Sequence, residues 1–155
     1  MPIVTLPNGA YRVFPFSISA YDVAQDISPG LARSALAARI NDRLCDLSTV
    51  ITEDVRLALI TERDPEALDL LRHSCAHLMA MAVKQLYPDA QVTIGPTIED
   101  GFYYDFAYSR PFTPEDLAQI EERMHELART DIPLERSEVP REEAVRLFES
   151  LGETY

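Results

Sequence analysis

Two histidines one helical turn apart are the residues of this chain best suited to chemistry. His73 and His77 lie in the run of residues 72–79, RHSCAHLM. In a helix, residues four positions apart lie about 40° apart around the axis, so both imidazoles share one face. An imidazole can act as an acid, a base or a metal ligand near neutral pH. The spacing therefore predicts a candidate reaction centre, and a pair of semi-exposed polar side chains without function is the alternative.

The same spacing does not by itself define a metal centre. A zinc metalloprotease motif places Glu directly after the first histidine, and Ser74 occupies that position here. Two histidines also fall short of the three or four ligands that zinc prefers. Cys75 lies about 160–200° away around the helix and reads as a core thiol. We therefore expect no metal within this chain, and a metal-binding protein is the weakest alternative.

The residues around the pair predict how this helix is packed. One apolar stripe lies roughly opposite the histidines, at Leu68, Leu71, Cys75, Leu78, Met79, Ala82 and Leu86. The histidine side carries apolar residues of its own, at Leu70, Ala76, Ala80 and Met81. This pattern predicts a helix covered on both sides, with His73 and His77 in a cleft.

Length and composition indicate a globular protein that stays in the cytoplasm. The chain has 155 residues, of which 46% are hydrophobic and 26% charged, enough for one ordinary domain or two small ones. No apolar run approaches the roughly 18 residues of a membrane span, and no secretory signal opens the chain. Cys45 and Cys75 have no metal or redox spacing, which favours a reducing compartment.

The charge distribution divides the chain in two. A net charge of −12 argues against a protein that wraps nucleic acid by bulk electrostatics. Residues 1–61 hold five basic and six acidic side chains, and residues 62–155 hold nine and twenty. The balance thus falls from −1 to −11 across the polar run at residues 61–65. We therefore predict two domains, at residues 1–62 and 63–155.

The first region has the pattern of a small α+β domain. Residues 3–6 and 11–14 read as strands joined by Asn8-Gly9, a tight hairpin turn. Ser19 begins a capping box for a helix that stops at residues 28–30, and a second helical piece starts at Leu31. Further strands are predicted at residues 37–40, 43–45 and 55–60. This order suits a β-grasp, ubiquitin-like fold, although small α+β folds overlap in pattern.

The second region alternates helices and short strands. A helix is predicted at residues 65–87, a hairpin of residues 91–95 with 102–106, and a helix from Thr113 with the stripe Leu117, Ile120, Met124 and Leu127. An extended piece at residues 132–139 and a helix at 140–151 follow. This is a thin set of elements for a closed core. We therefore expect a fragment of a longer chain.

Taken together, several segments closely resemble the N-terminal region of bacterial threonyl-tRNA synthetases. They are residues 2–9 (PIVTLPNG), 22–31 (DVAQDISPGL), 72–78 (RHSCAHL), 94–105 (IGPTIEDGFYYD) and 113–127, which contain RMHEL. A His-x-x-x-His pair alone is a weak signal. Its combination with the later segments is strong.

The resemblance implies a TGS domain of β-grasp fold at residues 1–62 and the first part of an editing domain at residues 63–155. Broadly the same editing domain occurs in alanyl-tRNA synthetase. In the family, the His-x-x-x-His pair faces a Cys-x-x-x-His pair supplied later in the sequence, and the four residues line a hydrolytic site. His73 and His77 are the matching positions, and Tyr104 and Asp105 are the expected pocket residues.

For the parent enzyme, the resemblance implies a class II threonine–tRNA ligase that charges tRNA(Thr) with threonine and hydrolyses mischarged seryl-tRNA(Thr). The 3′ end of the tRNA is the partner expected for this section. ATP, Mg²⁺ and Zn²⁺ would bind to a catalytic core outside this chain, and that core would form a homodimer. We expect no cofactor within the chain and no aminoacylation by it alone.

Two alternatives come from other classes. A TGS domain also occurs in regulatory or RNA-binding modules, but those do not combine it with HSCAH and GFYYD segments. A free-standing editing factor acting in trans would need the Cys-x-x-x-His pair in the same polypeptide, and this chain has none.

Overall fold

The structure is a computed structural model that describes residues 1–153. It divides into two compact units, Met1–Leu70 and the residues from Leu71 onward, and the division falls inside a helix. The predicted boundary between residues 62 and 63 stays a prediction. The end of the predicted second domain, Thr154 and Tyr155, lies outside the described residues.

The first unit is built on a five-stranded sheet. Its elements are β1 (Ile3–Thr5), β2 (Tyr11–Val13), β3 (Ile18–Ser19), α1 (Ala20–Ile27), α2 (Pro29–Ser34), β4 (Ala35–Ile40), β5 (Arg43–Cys45), β6 (Val50–Ile51) and β7 (Val55–Thr61). The order in the sheet is β2-β1-β7-β4-β5, and only the β1–β7 pair is parallel. Strands β3 and β6 form a separate antiparallel pair. The predicted α+β fold is confirmed.

Local sequence explains these elements. Gly9 supplies the positive φ of +82° that the turn between β1 and β2 requires. Ser19 caps α1 by accepting a hydrogen bond from the Asp22 N–H at 3.1 Å. The predicted stop at residues 28–30 is present, because α1 ends at Ile27, but α2 begins at Pro29 rather than at Leu31, with Ser28 as its N-cap.

The core of the first unit lies between the sheet and α1. Val4, Val23 and Leu57 have at most 1% of their surface exposed and are its largest fully buried side chains. Removal of this apolar area from water is the main term that stabilises the unit.

The second unit contains most of a long helix, two strand pairs and two further helices. The long helix is α3 (Glu66–Leu86), and it is followed by β8 (Gln91–Ile94), β9 (Thr97–Ile98), β10 (Gly101–Phe102), β11 (Asp105–Ala107), α4 (Pro114–Arg129) and α5 (Arg141–Ser150). Residues 132–139, predicted as an extended piece, form neither a helix nor a strand.

The hairpin of the second unit differs from the prediction. Strand β8 pairs with β11, with Ile94 opposite Asp105, and β9 pairs with β10 inside that loop. Phe102 therefore lies opposite Thr97 rather than opposite the first strand. The physical reason is Pro96, which has no N–H to donate to a continuous ladder and separates β8 from β9.

The core of the second unit is only partly as predicted. Val83, Ile120 and Leu127 are at most 5% exposed, and Leu78, Met79, Leu86 and Met124 pack against them. Leu71 and Leu117 of this unit were predicted to be core residues, but they are 50% and 58% exposed, and Leu68, earlier on α3 in the first unit, is 54% exposed. Small residues take their place on α3, where Ala76 is 1% and Ala82 0% exposed. Both alanines belong to the predicted apolar faces, so the error concerns the large side chains near the start of α3 rather than the faces themselves.

Helix α5 has no buried residue. Among residues 1–153, no helix is both long and apolar enough to cross a membrane.

Candidate functional site

Helix α3 brings the two predicted histidines into direct contact. The Nε2 atoms of His73 and His77 lie 3.0 Å apart, at hydrogen-bonding distance. The ring centroids are 4.6 Å apart and the planes meet at 80°. One Nε2 must therefore carry a hydrogen while the other accepts it through its lone pair. This contact engages both Nε2 atoms, so a neutral pair leaves one Nδ1 as an acceptor and the other Nδ1 as a donor.

Both imidazoles are exposed in the described structure. Within residues 1–153 they therefore do not lie in the predicted cleft. The prediction of cover on the histidine side holds in part, since Ala76 and Ala80 beside the pair are 1% and 8% exposed. The histidines thus stand at the edge of a packed face and remain accessible.

One contact ties the histidine helix to the nested strand pair. Arg72, the residue before His73, donates a hydrogen bond from Nη1 to the carbonyl oxygen of Ile98 at 3.3 Å. Ile98 belongs to β9, which pairs with β10 shortly before Tyr104. The segment that carries Tyr104 is thereby connected to the turn of α3 that carries His73.

The ring of Tyr104 packs closely against Phe106 and Gly95. Its ring stacks on Phe106, with centroids 4.9 Å apart and planes at 22°. Gly95 lies so close that an added Cβ atom would stand 2.1 Å from Cδ2 of the ring. Partial burial raises the pKa of the Tyr104 hydroxyl above its ordinary value. Among the described residues the hydroxyl has no hydrogen-bond partner.

Asp105 begins β11 next to Tyr104. Its carbonyl oxygen accepts a hydrogen bond from the Thr93 hydroxyl at 2.6 Å, while the residue is exposed. Within the described part of the chain its carboxylate has no partner. The structure thus brings His73 and His77 together. Among residues 1–153 it leaves the Tyr104 hydroxyl and the Asp105 carboxylate without hydrogen-bond partners. It provides no direct hydrogen bond or ring contact between the two groups among residues 1–153.

The donor atoms do not make a metal centre. No group of three or more His, Cys, Asp or Glu side chains converges among the described residues. Both cysteines are free thiols and partly buried.

A polar cluster in the second unit was not anticipated from the sequence. The Asp116 carboxylate accepts hydrogen bonds from both terminal nitrogens of Arg110, from the Tyr87 hydroxyl at 2.9 Å and from the Thr113 N–H at 2.8 Å. Arg110 first, and then these other donors, hold the pKa of Asp116 far below its usual range. The guanidinium also lies over the rings of Tyr87 and Tyr108. Thr113 and Pro114 predicted the cap, but nothing in the spacing pointed to Arg110 or Tyr87.

The first unit has the class of fold that the sequence predicted. A family model described as TGS domain matches residues 2–61. These residues include all of the strands of the β2-β1-β7-β4-β5 sheet. The first unit therefore contains a TGS domain.

The whole chain is similar to one section of threonine–tRNA ligases. It is 56% identical to the threonine–tRNA ligase of Marinobacter nauticus, and 58% identical to those of Laribacter hongkongensis and of Methylococcus capsulatus. Each alignment covers 100% of this chain and 24% of the relative. The chain thus spans about a quarter of the length of these relatives, and the predicted resemblance to the family is confirmed.

Proposed function

We propose that this chain is the TGS and partial editing section of a class II threonine–tRNA ligase, and that His73 and His77 serve hydrolysis of seryl-tRNA(Thr). The single observation that carries the proposal is the 3.0 Å contact between the two Nε2 atoms on an exposed helix face. The identity of 56–58% to threonine–tRNA ligases over the full length of the chain supports the assignment to that ligase.

The need for such a site follows from the chemistry of selection. Serine lacks one methyl group of threonine, and the absence of one methyl group is worth only about 1–3 kcal/mol of discrimination. A threonine site therefore charges some tRNA with serine. A second site that hydrolyses the wrong ester supplies the remaining discrimination.

The hydrolysis requires one proton to move between two oxygens. Water adds to the ester carbonyl carbon, and the bond from that carbon to the terminal ribose oxygen breaks. The water loses a proton and the ribose oxygen gains one, so that free serine and a ribose hydroxyl result. A neutral imidazole can orient the water and accept its proton, and a neighbouring imidazole with an N–H can donate to the ribose oxygen. In the neutral pair the Nε2 atoms hydrogen-bond to each other at 3.0 Å, and the two Nδ1 atoms would offer these functions, one as the acceptor and one as the donor.

Other groups of the proposed site have supporting roles. Tyr104 and Asp105 carry polar tips without partners among residues 1–153, which suits contact with the serine or the terminal adenosine. A Cys-x-x-x-His pair from later sequence would complete the site. ATP, Mg²⁺ and Zn²⁺ would belong to a separate synthetic core, which would also form the dimer. The partner of this section is the 3′ end of tRNA(Thr), and the compartment is the cytoplasm.

The acidic balance of the section is compatible with a tRNA partner. Only a few nucleotides need to enter an editing pocket. The net charge of −11 on residues 62–155 would therefore repel only the few phosphate groups of those nucleotides. Basic surface on other parts of the ligase would hold the remainder of the tRNA.

The proposal is tested by mischarging. In a full-length ligase that carries this sequence, His73→Gln and His77→Gln should each let seryl-tRNA(Thr) accumulate when serine and ATP are supplied. Threonylation should proceed at the wild-type rate. His125→Gln on α4 is the matched control, because His125 lies on a different helix and should leave editing unchanged. Wild-type levels of seryl-tRNA(Thr) in both variants would refute the role of the pair.

A further inference from the structure

We infer that Gly95 is a positioning residue of the proposed editing site. The Tyr104 ring occupies the space where a side chain of residue 95 would begin, and this position of the ring directs its hydroxyl toward the substrate. The inference rests on the proposed function and adds to it a residue in the loop after β8. It also assigns to Tyr104 a definite task, which is a hydrogen bond from its phenol to the bound aminoacyl ester or adenosine.

The close approach at Gly95 is severe. A Cβ atom at this position would lie 2.1 Å from Cδ2, 2.3 Å from Cε2 and 2.6 Å from Cγ of Tyr104. Carbon atoms in contact normally lie about 3.5–4.0 Å apart. Because Cγ belongs to the base of the ring, a small rotation about the Cβ–Cγ bond cannot relieve the overlap. The whole ring would have to leave its position.

The requirement for glycine is one of space alone. Gly95 does not have the positive φ found at Gly9, Gly101 and Gly152, so an alanine could adopt its backbone conformation. A substitution at Gly95 therefore acts through the Tyr104 ring, and removal of that ring should relieve it. This makes the pair testable by a double-mutant cycle.

The remaining contacts of Tyr104 fix the ring and leave its tip free. The stacking contact with Phe106 holds one side of the ring, at a centroid distance of 4.9 Å. The hydroxyl has no partner among residues 1–153, although partial burial raises its pKa. At neutral pH it is therefore an un-ionised O–H donor on a rigid support. The Tyr104 ring is packed between Gly95 and Phe106, and its hydroxyl is an unpaired hydrogen-bond donor among residues 1–153. This arrangement suits recognition of an oxygen or ring nitrogen of a ligand.

The experiment compares four variants of the full-length ligase: Gly95→Ala, Tyr104→Phe, Tyr104→Ala and the double variant Gly95→Ala/Tyr104→Ala. We measure kcat and KM for deacylation of seryl-tRNA(Thr), the rate of threonylation, and thermal unfolding of the 155-residue chain. Gly30→Ala is the matched glycine control, since its added Cβ would meet only Ser28 Oγ, at 3.9 Å.

The expected pattern is specific. Tyr104→Phe should slow deacylation by roughly 2- to 10-fold, the worth of one neutral hydrogen bond, without a change in unfolding temperature. Gly95→Ala should slow deacylation at least as much as Tyr104→Phe and should lower the unfolding temperature. The double variant should deacylate at the rate of Tyr104→Ala and unfold at the temperature of Tyr104→Ala. Threonylation should be unchanged in every variant.

Three results separate the possible failures. If Gly95→Ala deacylates at the wild-type rate while His73→Gln does not, Gly95 has no positioning role and the proposed function stands. A double variant slower than Tyr104→Ala would show that Gly95 acts through something other than this ring and would overturn the inference. Wild-type deacylation in His73→Gln and His77→Gln would instead overturn the proposed function on which the inference rests.

Discussion

The hydroxyl of Tyr87 donates a hydrogen bond to the carboxylate of Asp116 at 2.9 Å, across 29 positions of sequence. Asp116 is also the third residue of α4, where it completes a capping box with Thr113. One carboxylate thus joins the end of the α3 segment to the first turn of α4. Its side chain is 9% exposed and is paired with Arg110. Hydrogen bonds of Asp116 to Tyr87, Arg110 and Thr113 therefore connect three segments of the second unit.

The first prediction concerns acid unfolding. Folding lowers the pKa of Asp116, so the folded state binds its proton less readily than the unfolded state does. The stability from this group is therefore present above its unfolded pKa of about 3.9 and is lost as pH falls below that value. Urea unfolding of the 155-residue chain should show a larger loss of stability between pH 6 and pH 3 for the wild type than for Asp116→Asn. Asp89→Asn, an exposed acid, should behave as the wild type.

The second prediction tests the corrected helix stripe. Leu127 is 5% exposed, so Leu127→Ala should destabilise the chain by about 2–5 kcal/mol. Leu71 is 50% exposed, and Leu71→Ala should change stability by no more than about 0.5 kcal/mol. Chemical denaturation of both variants gives the comparison. A loss at Leu71 as large as that at Leu127 would restore the stripe that the sequence pattern predicts.

The third prediction concerns the cap of α1. Ser19 Oγ accepts the Asp22 N–H at 3.1 Å and donates to the Asp22 carboxylate at 2.5 Å. Ser19→Ala should therefore cost about 0.5–2 kcal/mol of stability in the first unit. Ser17→Ala, two residues earlier and exposed, is the control and should be neutral. Equal midpoints for the two variants in thermal unfolding would show that the cap contributes nothing.

The fourth prediction concerns the 155-residue chain by itself. Because the proposed ATP site belongs to another part of the ligase, the purified chain should not catalyse threonine-dependent exchange of pyrophosphate into ATP. It should also hydrolyse seryl-tRNA(Thr) poorly, since the proposed Cys-x-x-x-His pair is not in it. Robust ATP–pyrophosphate exchange by this chain would contradict the assignment of its role.

Local sequence signals predicted turns and helix caps better than they predicted which strands pair with each other. Local signals such as Asn8-Gly9, Ser19 and Thr113-Pro114 act over a few residues, and each turn or cap that they predicted is present. Strand partners depend on long-range pairing, so the nested β9–β10 pair and the β3–β6 pair were not predicted.

The candidate site shows the same division. Helical periodicity alone was enough to predict that His73 and His77 share one face of α3, where the structure brings them into contact. The exposure of the pair depends on what packs over α3, and the contact between Gly95 and Tyr104 depends on how the loop after β8 folds back. Neither can be read from spacing. A glycine between a strand and a proline was the one signal available, and it does not identify the ring that fills its space.

The most direct test of the central claim is the rate of seryl-tRNA(Thr) deacylation in a full-length ligase with His73→Ala, His77→Ala or both. Because the two Nε2 atoms act as one unit, we expect each single variant to be slower by roughly 10²–10⁴-fold and the double variant to be little slower than either one. Threonine activation and the unfolding temperature should be unchanged, since both histidines are exposed. Deacylation at the wild-type rate in the double variant would contradict the account.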